Sequence, residues 1–247
     1  MKTSAKLLTL LFALSALVFT GCEKDEDETP AENPTANEFN FSDSYGVFVA
    51  VKSVTTQSMG GITIPIEVNT ATAVFMSSAG NNTFVEAGEV KLNNKSLKKY
   101  QNNAYVYDDL VNPLDFSSVS WSASGKGDVP AINKVVTKGF PAFSNADNIP
   151  ASISLAEGFS ISLGSQISKA DSVIVVVGGN NKSVYKTVGG NAASVSFSSA
   201  DLNNIGTTSA GLISVTPYNF TTETIASKRY YFINETVYNK ANVNIIR

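Results

Sequence analysis

The 247-residue sequence contains no histidine and only one cysteine, Cys22. The lack of histidine removes the commonest general base, the Ser-His-Asp and Cys-His catalytic arrangements, and nearly every type of catalytic zinc site. With a single thiol the chain forms no internal disulfide, so its fold must be stabilised by apolar packing. These two deficits favour a binding or structural protein over an enzyme.

Long apolar runs are also scarce, and the longest covers residues 7–19. This run is too short for a transmembrane helix, which needs about 20 apolar residues. Lys2 and Lys6 precede it, and the small residues that end at Cys22 follow it. This order of basic, apolar and small residues predicts a secretory signal peptide over residues 1–21, which is removed from the mature protein.

The residues at the end of this signal form the tetrad Phe19, Thr20, Gly21 and Cys22. The tetrad resembles the lipobox of bacterial lipoproteins, in which the cysteine becomes the new N-terminus and carries diacylglycerol and a third acyl chain, such as palmitate. The resemblance implies that Cys22 is lipidated and anchors the chain in a membrane. The alternative is an ordinary signal peptide with an incidental cysteine.

Charge is distributed unevenly along the chain. Residues 22–37 carry six carboxylates and one lysine, whereas residues 38–247 carry fifteen acids and fifteen bases. The acidic segment also holds Pro30 and Pro34 and has almost no apolar residues, which predicts a disordered tether over residues 22–37. The balanced body offers no basic patch for phosphates, so nucleic acid is not an expected partner.

An acidic run lies within this tether, directly after Cys22. It resembles the export signal that directs lipoproteins of Bacteroidetes to the outer face of the outer membrane, and the resemblance implies a protein exposed to the cell exterior. The alternative is a solvated linker kept extended by its charges. The residues of the run are Lys24, Asp25, Glu26, Asp27 and Glu28.

From residue 39 onward the composition is typical of strands, with short runs of Val, Ile, Thr, Ser, Tyr and Phe separated by Gly, Asn and Pro. In residues 118–124 serines alternate with apolar side chains, which places Trp121 in a core rather than on a surface that binds sugars. Asn93 and Asn94 predict a two-residue hairpin turn. One helical turn is predicted over residues 199–205, capped by Ser199.

The strand-rich body divides into two predicted domains. Residues 145–150 form a polar stretch that ends in Pro150, and we place the domain boundary there. The fold class is therefore all-β, with two tandem β-sandwich domains over residues 38–146 and 147–247. Seven short predicted strands in the second half, including the valine-rich run 172–177, are typical of an immunoglobulin-like or fibronectin-like sandwich.

A succession of apolar and turn residues resembles the plan of two-domain surface lipoproteins of Bacteroidetes. The resemblance implies a fold but no activity. The residues that carry it are Gly88, Val90, Leu92, Asn93, Leu97, Tyr105, Trp121, Gly125, Pro130, Pro141, Asp171, Val173, Val175, Lys228, Tyr230 and Phe232. Asp171, Ser172 and Val173 also resemble the sequence on which these bacteria attach O-linked glycans, so Ser172 is a candidate glycosylation site. The alternative is a serine that simply begins a strand.

Two groups of residues are candidates for ligand contacts. Tyr105 and Tyr107 point to one face of a strand, where exposed rings would stack on sugars, unless they fill a core. Asp108, Asp109 and Asp115 lie in one loop and are weak candidates for calcium ligands, although solvated loop acids are commoner. No cofactor is expected.

The sequence therefore predicts a non-enzymatic, lipid-anchored protein of the outer membrane that faces the cell exterior and has a binding or assembly role. The expected partners are the membrane, through the lipid, and a glycan or other envelope proteins. One alternative is a glycan-binding accessory lipoprotein of a polysaccharide-uptake system. Another is a glycoside hydrolase that uses two carboxylates, although no pair is identified by a motif.

Overall fold

The computed structural model describes residues 41–59 and 62–247. The predicted signal peptide, Cys22 and the acidic run 24–28 lie outside the described residues. Within the described ranges the secondary structure consists of strands and three short 3₁₀ helices, at Phe41–Asp43, Ala146–Asn148 and Gly164–Gln166. The all-β class predicted from the sequence is confirmed.

The strands are numbered in chain order. They are β1 (Ser44–Met59), β2 (Ile62–Phe75), β3 (Val90–Leu92), β4 (Lys95–Ser96), β5 (Lys98–Lys99), β6 (Tyr105–Tyr107), β7 (Val119–Ala123), β8 (Ile132–Val136), β9 (Ala142–Phe143), β10 (Ser152–Ser154), β11 (Phe159–Ser162), β12 (Ile167–Ser168), β13 (Ser172–Gly178), β14 (Ser183–Gly189), β15 (Ser194–Phe197), β16 (Thr208–Ile225) and β17 (Lys228–Ile246).

Nine of these strands form one large sheet in the order β14-β13-β16-β17-β1-β2-β6-β5, with β10 paired to β17 outside that path. Most neighbours are antiparallel, but β17 pairs in parallel with both β1 and β10. A smaller sheet has the order β4-β3-β7-β8, and two further pairs are β11-β15 and β12-β9. The large sheet is the element against which the smaller ones pack.

Aromatic side chains dominate the first core, which lies between the large sheet and the sheet β4-β3-β7-β8. Trp121, on β7, is 1% exposed, and its ring centroid lies 5.2 Å from that of Phe48 on β1. Phe48 in turn stacks on Phe232 of β17 at 4.7 Å between ring centroids. The alternation of serine and apolar residues in β7 thus places tryptophan inside, as the sequence predicts.

Aliphatic side chains dominate the second core. Val173, Val175 and Val177 on β13 are each fully buried there, together with Phe197 of β15 and Leu202 of the following turn. Because β13 lies between β14 and β16, its valine-rich sequence is that of a central strand.

One strand, β17, contributes to both cores. Tyr230 and Phe232 belong to the first core, whereas Val243 and Ile245 belong to the second. The large sheet is therefore continuous across the boundary predicted at residues 146 and 147. That boundary, and the immunoglobulin-like topology of the second half, remain predictions.

The chain between the two cores is held to the sheet by side-chain hydrogen bonds. Asn219 Nδ2 donates to the Gly139 carbonyl at 2.6 Å, and Asn234 Nδ2 donates to the Lys138 carbonyl at 2.6 Å. The Thr236 hydroxyl donates to the Pro141 carbonyl, also at 2.6 Å. These three hydrogen bonds attach residues 138–141 to β16 and β17.

Candidate functional site

The two tyrosines predicted as ligand contacts are buried. Tyr105 is 2% exposed and Tyr107 is 8% exposed, and both belong to the first core. The Ala87 N–H donates to the Tyr105 hydroxyl oxygen at 2.9 Å, and the Tyr107 hydroxyl donates to the Asn112 carbonyl. Of the two alternatives that the sequence left open, the structure shows the core: neither ring is presented to a sugar, because the face of β6 to which both point is the inner face of the sandwich.

Asp109, one of the three candidate calcium ligands, closes its own loop. Its Oδ1 accepts hydrogen bonds from the backbone N–H of Val111 at 2.9 Å and of Asn112 at 3.1 Å, and its Oδ2 accepts from the Asn112 side chain at 2.9 Å. These bonds, led by that from the Asn112 side chain, lower the pKa of Asp109. Both carboxylate oxygens thus have a structural role.

The other two acids of this loop are engaged elsewhere. Asp115 accepts hydrogen bonds from the backbone and side chain of Ser117, which lower its pKa, and Asp108 accepts one from the Tyr100 hydroxyl at 3.1 Å. Within residues 41–59 and 62–247, no three cysteines or acids are grouped so that they could hold a metal ion. Asp108, Asp109 and Asp115 thus have the contacts of ordinary loop acids, which is the commoner alternative, and calcium binding by them stays a prediction.

Ser172, the candidate glycosylation site, is fully buried. It begins β13, where its neighbours across the sheet are Gly189 on β14 and Tyr218 on β16. A glycan on this hydroxyl would have no path to solvent in the folded protein. The structure favours the alternative, a serine that begins a strand.

A cleft of about 290 Å³ lies beside the first core, where three separate segments meet. Its apolar lining comprises Met76 and Val85 from the β2–β3 connection, Val129 from the β7–β8 connection, and Tyr230 near the start of β17. The volume is close to the lower end of small-molecule sites. Sequence reasoning missed this cleft, since no motif links segments so distant in the chain.

The rim of the cleft is charged. Glu86 forms ion pairs with Lys99 and Lys126, and is 31% exposed. On the β17 side, the Lys228 ammonium donates to the Asp128 carbonyl. The rim thus carries charges of both signs around an apolar floor.

Tyr230 is 1% exposed, and burial raises its pKa to about 12. Its ring occupies space that exists because residue 46 is glycine: a Cβ at Gly46 would lie 2.8 Å from Tyr230 Cδ1. The adjacent Tyr231 points to the opposite face of the sheet, and its hydroxyl donates to Asp43 Oδ1 at 2.7 Å.

Glu235 is the one buried carboxyl on β17. It lies opposite Val51 of β1 and Tyr218 of β16, is 6% exposed, and points to the same face as Tyr231. Burial alone raises its pKa to about 7. Nothing in the sequence marks this residue, because its burial depends on the order of strands in the sheet.

Among the residues that the structure describes, no helix has the length and apolar character needed to cross a bilayer. No family model, no curated protein and no solved structure matches this chain.

Proposed function

We propose that the protein is a lipid-anchored protein of the cell surface with a binding or assembly role and no catalytic activity. The observation that carries this proposal is the position of the only cysteine, Cys22, at the point where the signal peptide ends. The acidic run 24–28 supports export to the outer face of the outer membrane.

The roles of the acidic side chains support a non-catalytic body. Asp171 forms an ion pair with Lys138 at 2.7 Å and accepts the backbone N–H of Phe220, which ties one connection to the large sheet. Asp201 pairs with Lys186 at 2.7 Å. Burial alone would raise the pKa of Asp201, but the hydrogen bonds from Lys186 and Ser198 lower it.

The two alternatives are less well supported by the structure. The glycan-binding alternative had Tyr105 and Tyr107 as its stacking residues, and both rings lie in the first core. The glycoside-hydrolase alternative needs two carboxylates on either side of a bound sugar. The carboxylates of Asp109, Asp171 and Asp201 are instead engaged in loop and strand contacts.

The proposal is tested by replacing Cys22 with serine in the bacterial host. We expect the Cys22→Ser protein to move from the membrane fraction to the soluble fraction, and mass spectrometry to detect acyl groups on the unmodified protein only. Thr29→Ser, a similarly small change in the tether, should leave the protein in the membrane fraction. Membrane association that persists unchanged in Cys22→Ser would contradict the lipid anchor.

The predicted orientation has its own test. In intact cells, external protease should digest the unmodified protein, because the body faces the exterior. Replacing Asp25, Glu26, Asp27 and Glu28 by their amides should protect it, whereas Glu32→Gln should not. If the amide variant is digested as fast as the unmodified protein, the acidic run is only a linker.

A further inference from the structure

The junction between the two cores holds three buried oxygen atoms without a hydrogen-bond partner among the residues that the structure describes. Two of them are the Oδ1 atoms of Asn219 on β16 and Asn234 on β17, side chains that are 1% and 0% exposed. The third is the hydroxyl oxygen of Thr221 on β16. Buried polar groups without a partner are rare, because they lose their hydrogen bonds to water and gain none. Three in one place indicate a site for a small hydrogen-bonding ligand.

The pairing of β16 with β17 brings these three side chains together. Asn219 lies directly opposite Asn234 in the antiparallel register, and Thr221 lies opposite Phe232. All four positions share the face of the sheet on which Phe232 enters the first core. Directly opposite side chains have Cβ atoms about 4.5–5.5 Å apart, and the diagonal pair of Thr221 and Asn234 lies only a little further apart, at about 7–8 Å. One small molecule can therefore contact all three oxygens.

The hydrogen bonds of the two amides determine which atom of each is left over. Asn219 Nδ2 donates to the Gly139 carbonyl at 2.6 Å and to the Lys169 carbonyl at 3.1 Å. Asn234 Nδ2 donates to the Lys138 carbonyl at 2.6 Å. A carbonyl oxygen only accepts hydrogen bonds, so the NH₂ end of each amide must face the carbonyls. The oxygen ends are therefore the free ones, and both need a donor.

The chemistry of the three oxygens favours water over a cation as the ligand. A water molecule has two O–H groups for the two amide oxygens, and its own oxygen can accept from the Thr221 hydroxyl. A cation would need a balancing negative charge, and all three oxygens are uncharged. The carboxylate of Asp171, before β13, already pairs with the Lys138 ammonium at 2.7 Å. A buried cation without an anion is costly, so a neutral ligand fits better.

We propose that this junction binds one water molecule as a structural part of the fold. The water donates one O–H to Asn219 Oδ1 and the other to Asn234 Oδ1, and the Thr221 hydroxyl donates to the water oxygen. The other end of each amide holds the connection at residues 138 and 139. The water therefore fixes the two side chains that attach this connection to the large sheet. This inference goes beyond the proposed function and does not depend on the lipid anchor.

Thr221→Val tests the site, because valine has nearly the shape of threonine and lacks the hydroxyl. If the water is bound, the variant loses one of its hydrogen bonds, and the melting temperature of the purified protein should fall by about 2–4 °C. If the hydroxyl is merely unsatisfied, valine removes a buried polar group and the melting temperature should rise. Thr224→Val, at an exposed position of the same strand, is the control and measures the effect of valine on the strand itself.

A crystal structure of the unmodified protein, from crystals soaked in rubidium chloride, identifies the ligand directly. We expect a density peak within hydrogen-bond distance, about 2.7–3.2 Å, of Asn219 Oδ1, Asn234 Oδ1 and the Thr221 hydroxyl oxygen. A water gives no anomalous signal at the rubidium absorption edge, whereas a bound monovalent cation would exchange for rubidium and give one.

Three outcomes would overturn the assignment. The first is a Thr221→Val protein that melts at the same temperature as Thr224→Val or at a higher one. The second is a junction without a density peak between the three oxygens. The third is an anomalous rubidium peak there, because the site would then bind a monovalent cation and not water.

Discussion

At the scale of single residues, Glu235 has the clearest consequence for stability. Its pKa is raised by burial from 4.5 to about 7 in the folded protein. Below pH 4.5 the carboxyl is protonated in the folded and in the unfolded protein, so its ionisation does not change the free energy of unfolding. Between pH 4.5 and 7 it is neutral when folded and ionised when unfolded, so stability falls as pH rises, by about 3 kcal/mol in all.

We therefore expect Glu235→Gln to remove this dependence. Urea unfolding at pH 5 and at pH 8 should show a loss of stability with rising pH that is clearly smaller in the variant. Glu157→Gln, at an exposed turn after β10, is the control and should behave like the unmodified protein. An equal loss in Glu235→Gln would mean that other groups cause the pH dependence.

At the scale of elements, two hairpins use the same backbone turn with different residues. Asn93 and Asn94 have φ values of 49° and 64°, and Ala226 and Ser227 have φ values of 50° and 63°. Both turns therefore need positive φ at two successive positions, which asparagine and glycine adopt readily and alanine does not. The positive φ values therefore destabilise the turn between β16 and β17 more than they destabilise the turn of Asn93 and Asn94.

Replacing Ala226 and Ser227 together by Asn-Gly should raise the free energy of unfolding by about 1 kcal/mol, because both residues then suit the turn. Thermal or urea denaturation measures the change. Asn94→Gly, made at the hairpin that already suits its turn, should give a smaller gain. A loss of stability in the Asn-Gly variant would show that the side chains of Ala226 and Ser227 contribute contacts that outweigh the backbone cost.

Several elements could be predicted from the sequence because their signals are local. The alternation in β7 placed Trp121 correctly, and the Asn93–Asn94 dipeptide gave the hairpin turn, with positive φ at both positions. The helical turn predicted over residues 199–205 is wrong, since that segment consists of hydrogen-bonded turns. Ser198 and Asp201 stabilise the start of this segment, because the side chain of each accepts a hydrogen bond from the backbone N–H of the other. The residue predicted as the cap was Ser199.

Elements whose extent depends on distant partners were predicted less well. Residues 238–242 are mostly polar and do not by themselves predict a strand, but β17 runs through them without interruption. Pairing with β16 supports that stretch, and Asn242, with a φ of 57°, accommodates a register shift there. The cleft around Tyr230 was missed for the same reason, because its three segments meet only once the large sheet has formed.

At the scale of the whole molecule, the sharing of β17 couples the two cores. Its first half pairs with β1 and fills the first core, and its second half pairs with β10 and fills the second. Unfolding either core therefore disrupts a strand that the other core needs. We expect a single cooperative transition.

The fluorescence of Trp121 measures this coupling, because this side chain lies in the first core and reports on its unfolding. Leu202→Ala opens a cavity in the second core and should cost about 2–5 kcal/mol. If the cores unfold together, the fluorescence midpoint of Trp121 will fall by as much as the midpoint from far-UV circular dichroism. A fluorescence midpoint that stays in place would show two independently folding domains.

The place of β17 in the chain also affects when the protein can fold. This strand follows all the other described strands in sequence, yet it supplies interior residues to both cores and lies beside β1, the first strand. A polypeptide that is synthesised from its N-terminus would thus hold exposed apolar surface until β17 arrives. Chaperones that bind extended chains would protect that surface during the interval, and refolding from denaturant should be slow.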